Sequence, residues 1–215
     1  MSPVIDCTTE EGQAHGIDAA AAAIRRGELV VLPTDTVYGL GADAFSPDAV
    51  AAVLAAKGRG REMPPPVLVP SEATVDGLAT DVPDYARDLM HAFWPGPLTL
   101  VLVAQSSLMW DLGDTNGTVA LRMPQDDTAL KLLAEVGPMA VTSANVSGQS
   151  PAKSILEAAA QLGPAVSIYL DGGPCAGTLP STILDCTGPA PVILRAGGIS
   201  AGQVQQVLGA VELDN

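Results

Sequence analysis

Five cations stand out by position. Lys57, Arg59, Arg61, Arg122 and Arg195 lie at the ends of apolar segments or in turns rich in glycine and proline, where side chains tend to converge on sites. The other basic residues, Arg25, Arg26, Arg87, Lys131 and Lys153, fall in helical-looking stretches and read as solvated. The chain has 10 basic and 24 acidic residues, a net charge of −14, so cations gathered in one place would form a local anion pocket in an acidic molecule. The same balance excludes nucleic-acid binding through a broad basic face.

In Lys57-Gly58-Arg59-Gly60-Arg61 the cations take alternate positions. In extended backbone alternate side chains point one way, so the three could line one wall. The interleaved glycines and the closing Pro64-Pro65-Pro66 suggest a mobile lid with a stiff end. Lys57 alone is ordinary helix C-capping before a glycine; the three together point to phosphate binding.

Further segments carry polar groups at strand exits. Pro33-Thr34-Asp35-Thr36-Val37-Tyr38-Gly39-Leu40-Gly41 places hydroxyls and a carboxylate before a glycine-flanked turn. Within it Gly39, Gly41 and Ala44 spell the dinucleotide fingerprint GxGxxA, but the next helix cannot begin before Pro47, so no helix N-terminus faces the glycines and the fingerprint is rejected. Val141-Thr142-Ser143-Ala144-Asn145-Val146-Ser147-Gly148 can cradle an anion with hydroxyls, an amide and backbone N–H groups. Arg122 and Arg195 each end an apolar strand, the second with Ser181-Thr182-Ile183 nearby in the chain; such arginines either snorkel to water or bind a ligand, and the pair leans toward the ligand.

The sequence has no GxxxxGK[ST], HExxH or EF-hand loop. With only His15, near the N-terminus, and His91, in a helical stretch, the sequence speaks against a Ser/His/Asp triad, and neither histidine has a metal-ligating neighbour at suitable spacing. Phe93-Trp94-Pro95-Gly96-Pro97-Leu98 reads as a rigid corner, with Trp94 as core or hinge packing.

The elements that must position these groups alternate along the chain. Apolar runs predict strands at 29–32, 67–69, 98–103, 119–122, 139–142, 167–170, 182–185 and 192–195. Amphipathic stretches predict helices at 17–26, 47–57, 84–93, 126–136, 154–162 and 200–208, with start signals at Ser46-Pro47 and Ser200. The fold class is α/β: a large twisted sheet with flanking helices, mixed because the C-terminal strand spacings are too short for crossover helices. At 47% apolar and 16% charged the chain has ample core material, and 1–215 reads as one domain with no linker. No run reaches the ~18 residues of a membrane span. The opening MSPVIDCTTE lacks a secretion signal. Cys7, Cys175 and Cys186 are too scattered for a disulfide framework, which suits a reducing cytoplasm.

In order along the chain, PTDTVYGLGADA, the KxR of Lys57 and Arg59, FWPGPLTLVL, VALRMP, the SxN of Ser143 and Asn145, STI and LR-G resemble the YrdC-like threonylcarbamoyl-AMP synthase family, in its short single-domain form, over about residues 27–198. The resemblance implies a twisted mixed sheet around a central cationic groove. It also implies the joining of L-threonine, bicarbonate and ATP into threonylcarbamoyl-adenylate and pyrophosphate, for modification of adenosine 37 in tRNA. Carried over by position, Thr36, Arg122 and Ser181 hold threonine, with the backbone at Val141. Lys57, Arg59, Ser143, Asn145 and Arg195 hold ATP and the adenylate, with the backbone at Thr118. Lys57, Arg59, Ser143 and Asn145 serve the reacting centre. The family's threonine-holding histidine is absent from Val67-Leu68-Val69, and Gly60-Arg61-Glu62-Met63-Pro64-Pro65 departs from the usual lid, with Arg61 standing in for lid contacts. Magnesium rides on the ATP phosphates. The implied partners are the proteins that transfer threonylcarbamoyl to tRNA, with at most weak contact to tRNA itself and none to a membrane, in the cytoplasm.

The chemistry fits the charge pattern. Carboxylated threonine is a dianion that attacks polyanionic ATP, and like charges at ~4 Å repel by ~1 kcal/mol per pair in water and several-fold more in a drier site. Two other readings remain open: an RNA-binding module without ATP turnover, and a carbamoyl-adenylate enzyme using carbamoyl phosphate. The latter domains usually sit in longer chains with zinc-finger segments, which are not seen here.

Overall fold

A computed structural model describes residues 2–175, 177 and 179–213. Among them ten strands form one sheet: β1 (Val4–Asp6), β2 (Val30–Leu32), β3 (Gly39–Asp43), β4 (Val67–Leu68), β5 (Leu98–Val103), β6 (Thr118–Arg122), β7 (Met139–Ser143), β8 (Ile168–Asp171), β9 (Thr182–Asp185) and β10 (Val192–Arg195). Their order across the sheet is β1-β8-β2-β3-β7-β4-β6-β5-β9-β10. The pairs β1–β8, β2–β8, β4–β6 and β5–β9 are parallel and the others antiparallel, the mixed sheet expected. The helices are α1 (Glu10–Arg25), α2 (Pro47–Lys57), the short α3 (Val75–Leu78), α4 (Asp84–Phe93), α5 (Asp127–Val136), α6 (Ile155–Leu162) and α7 (Ala201–Leu208).

Helix starts follow local chemistry. Side chains of Thr9, Ser46, Asp126, Ser154 and Ser200 each accept a hydrogen bond from a first-turn N–H, and Ser200 completes a capping box with Gln203. The α1 start at Glu10, seven residues before the expected Ile17, rests on the Thr9 cap with Glu10 and Glu11 in the first turn.

The sheet is packed on both faces in its first half. Val30 and Leu32 of β2 join a cluster with Ala20 and Ile24 of α1 and Leu132 of α5. Val31 between them faces a second cluster with Val53 of α2 and Ile155 of α6. That is the period-2 alternation of a doubly covered strand. In the other half Leu98, Leu100 and Leu102 of β5 and Val119 and Leu121 of β6 pack under α4 and α7. The alternate residues Val101, Val103, Thr118 and Ala120 face the other way and are only half-buried.

Glycines explain β3, a segment expected to be loop. A Cβ on Gly39 would lie 2.7 Å from a Val141 methyl, and one on Gly41 would lie 2.9 Å from side-chain carbons of Met139 and Val141. The β3–β7 pairing needs glycine for room, and the fingerprint spelling is incidental.

Candidate functional site

Two groups of functional side chains emerge, one at each side of the 33–38 loop. The first lies across β6, β5, β9 and β10. Thr99 of β5 and Arg195 of β10 both pair with Ile183 of β9, and Arg122 is one residue beyond the Leu121–Leu100 pair. Arg122 and Arg195 therefore end a row across four strands, with backbones about 14 Å apart by strand spacing.

Arg122 is buried and held on three sides. Its Nε donates to Gly96 O at 3.1 Å, Nη1 to Thr36 Oγ1 at 3.1 Å and Nη2 to Asp35 Oδ1 at 2.5 Å. A guanidinium has five N–H donors, so two remain for a ligand. The Gly96 carbonyl is placed by the predicted corner, where Trp94 is buried with its indole N–H on Leu98 O at 2.7 Å. Arg195 donates Nε and Nη2 to Ser181 O at 3.0 and 2.7 Å, and Nη2 also to Ser181 Oγ at 2.9 Å. Ser181 Oγ is 2.8 Å from Thr99 Oγ1. Burial lowers the pKa of both arginines, and the charge of Arg122 lowers that of Arg195 further. An anion bound beside either cation would offset these penalties.

The second group surrounds the end of β7. Lys57 closes α2 and is fully buried, its ammonium among Ser143 and Asn145 oxygens. Arg59 donates Nε to Ser147 Oγ at 3.2 Å and reaches Thr142 Oγ1 at 3.5 Å. The 33–38 loop ties the groups together: Ala144 N donates to Tyr38 O at 2.7 Å, while Thr36 holds Arg122. Thr36 and Tyr38 are two residues apart, at most about 7 Å of chain.

The expected single wall of Lys57, Arg59 and Arg61 does not form. Gly58 has φ 66° and ends α2 in a left-handed turn, so the segment is not extended and alternate side chains diverge. Arg61 turns to the surface, where Asp111 Oδ1 accepts from Nη2 at 2.7 Å, Asp111 Oδ2 from Nη1 at 3.0 Å, and Asp114 Oδ1 lies 3.5 Å from Nε. The backbone follows, with Asp114 N donating to Arg61 O at 2.8 Å. Thr118 N donates to Thr115 O, and Val141 N to Pro66 O, which leaves those N–H groups engaged within the fold.

Residues not assigned from sequence complete the picture. Asp35 is the charge partner of Arg122 and also accepts from Gln125 N at 3.0 Å; its place between two threonines in Pro33-Thr34-Asp35-Thr36 was the available signal. Ser147, Thr142 and Thr99 orient the cations or their neighbours. Of the cations expected to be solvated, Arg25, Arg26, Arg87 and Lys131 meet Glu135, Glu28, Asp76 and Asp127 at the surface. Among the described residues no group of three or more His, Cys, Asp or Glu could hold a metal.

A family model described as "Sua5_yciO_yrdC: Telomere recombination" matches residues 22–197. The chain belongs to the Sua5/YciO/YrdC family. A Mycobacterium leprae relative is 56% identical over 211 residues, covering 98% of this chain and 96% of its own length. A Bacillus subtilis relative named threonylcarbamoyl-AMP synthase is 40% identical over 201 residues, 92% of this chain and 58% of its own. The crystal structure of P. abyssi Sua5 complexed with L-threonine superposes with a TM-score of 0.92 at 36% identity, over 99% of this chain and 62% of that one. The chain thus spans nearly the whole mycobacterial relative and less than two thirds of the other two.

Proposed function

We propose that this chain, read as one YrdC-like domain over residues 1–215, makes threonylcarbamoyl-adenylate from L-threonine, bicarbonate and ATP, with release of pyrophosphate. The observation that carries the reading is the placement of Arg122–Thr36 and of Arg59 with the Ser143–Asn145 exit on either side of one short loop. Relatives carrying the synthase name favour it over an RNA-binding module.

In this reading the two free N–H groups of Arg122 take the threonine carboxylate, with Thr36, Ser181 and the main-chain carbonyl of Val141 fixing the rest of the amino acid, the Val141 N–H being held by Pro66 O. Arg59, Ser143, Asn145 and Arg195 hold the nucleotide, and the half-buried face of Val101, Val103, Thr118 and Ala120 offers it a floor. Bicarbonate gives up hydroxide to form carbon dioxide; the threonine amine adds to its carbon and releases a proton, which the hydroxide takes as water, leaving a carbamate. A carbamate oxygen then forms a bond to the α-phosphorus as the bond to pyrophosphate breaks. The protein positions the reactants and neutralises charge; no protein nucleophile is required. Magnesium would arrive on the ATP phosphates, since the described carboxylates form no metal cluster. The product would pass to proteins that transfer threonylcarbamoyl to tRNA in the cytoplasm. Among the described residues no helix is long and apolar enough to cross a membrane.

The test is pyrophosphate release from ATP by folded protein with magnesium. Release that requires both threonine and bicarbonate is expected. Its absence, together with salt-sensitive RNA binding, would replace this reading with the RNA-binding one.

A further inference from the structure

Lys57 is a family-marked cation with 0% exposure. Its Nζ lies 2.5 Å from Ser143 O, 2.6 Å from Asn145 O, 3.0 Å from Asn145 Oδ1 and 3.2 Å from Ser143 Oγ. An ammonium has three protons and no acceptor, so the three nearest oxygens exhaust it. Lys57 grips the same turn a second time through its own carbonyl, which accepts from Ser147 N at 2.9 Å. The Asn145 amide then donates to Val146 O at 3.0 Å and Gln149 O at 2.8 Å, closing the turn on itself. A phosphate oxygen could claim a proton of Lys57 only by breaking one of these bonds.

Two main-chain carbonyls aimed at one buried point need a cation or a donor there, because an unsatisfied buried acceptor is costly. Lys57 supplies it from the end of α2, where the helix's own carbonyls also favour positive charge. Burial and the nearby Arg59 charge lower its pKa to about 8. Among the described residues Arg59 is the charged neighbour that shifts it; the facing groups of the β7 exit are hydroxyl, amide and carbonyl.

We propose that Lys57 is a positioning residue: it folds residues 143–147 into the shape that presents Ser143 and Asn145, and it does not touch the phosphates of the nucleotide. The proposal rests on the reading of Ser143 and Asn145 as nucleotide ligands given above.

The experiment compares equilibrium binding of AMP, ADP and a non-hydrolysable ATP analogue to wild type, Lys57→Met and Arg59→Met. Lys57→Met is expected to weaken all three by a common factor, about tenfold or more for the loss of charge-assisted bonds. Arg59→Met is expected to weaken the ATP analogue far more than AMP. A Lys57→Met protein that loses ATP-analogue affinity while keeping that for AMP overturns the proposal. Hydrogen exchange in the ligand-free proteins gives a readout independent of nucleotide: faster exchange confined to residues 141–149 in Lys57→Met is expected, and unchanged protection there overturns the proposal. If Lys57→Met does not fold, Lys57→Arg, which keeps the charge but not the three-proton geometry, is read by the same exchange criterion. Failure of the wild type to bind any nucleotide sinks the functional reading, and the exchange result then decides the role of Lys57 alone.

Discussion

Asp35 and Arg122, 87 residues apart in the chain, meet at 2.5 Å with side chains only 12% and 9% exposed. A pair this sheltered acts as a unit: it costs desolvation to form, but removing one partner strands the other's charge, typically at 3–5 kcal/mol. Asp35→Ala is therefore expected to lower the melting temperature by on the order of 10 °C for a chain of this length. Asp35→Asn, which keeps the Gln125 contact, should lose less. Equal melting temperatures for wild type and Asp35→Ala would show that Arg122 finds solvent or another partner.

Arg59 and Arg61 stand two residues apart and should differ widely in effect. Arg59 faces Ser147 and Thr142 beside the proposed nucleotide site, whereas Arg61 is paired with Asp111 and Asp114 at the surface. Exposed ion pairs contribute little, but a cation that meets charge developing in the transition state is worth about 10²–10³ in rate. Arg59→Ala should cost roughly that much in kcat/KM, and Arg61→Ala no more than about threefold. A comparable loss for Arg61→Ala would mean that the 58–66 segment swings Arg61 away from its carboxylates during turnover.

Gly197 supports the site without offering a side chain. A Cβ there would lie 2.4 Å from Pro180 O and 2.5 Å from Ser181 C and Thr182 N, all backbone. Gly197→Ala must displace the segment that Arg195 grips through Ser181. Threonine-dependent pyrophosphate release is expected to fall at least tenfold with far-UV circular dichroism unchanged. Gly202→Ala, with nothing within 4 Å of the added carbon, is the control and should be neutral or slightly stabilising. Wild-type turnover in Gly197→Ala would show that the Ser181 segment can move without consequence.

Periodicity and capping located six of the helices and eight of the strands, because Val/Leu/Ile runs bounded by proline or glycine, and Ser-Pro or Ser starts, are local signals. What escaped was non-local. The β3 glycines look like turn residues until Met139 and Val141 are placed across from them. Lys57, Arg59 and Arg61 look like one wall until the left-handed Gly58 turns the chain. Asp35 reads as turn chemistry until Arg122 arrives from 87 residues away. Polar residue types at strand exits pointed to the place; their partners are set by strand order and register, which no local pattern contains.

The last expectation concerns pH and follows from the sign of one shift. Lys57 titrates at about 8 in the fold against an ordinary 10.5, chiefly through burial and secondarily through Arg59. Below about pH 8 the amine is protonated in both states, and the fold carries the full cost of burying the charge. Between about 8 and 10.5 the unfolded chain holds the extra proton, so the Lys57 contribution to stability rises with pH. Function should move the opposite way. A neutral amine has two protons for Ser143 O, Asn145 O and Asn145 Oδ1, so the β7 exit loosens as the ammonium is lost, while guanidinium groups keep their charge. Measured without threonine, whose own amine titrates nearby, ATP-analogue affinity of the wild type should fall from pH 7.5 to 9.5, and that of Lys57→Met should stay flat. Over the same interval the melting temperature of the wild type should rise relative to Lys57→Met. Parallel pH profiles for the two proteins would mean that the proton on Lys57 neither shapes the exit nor costs the fold.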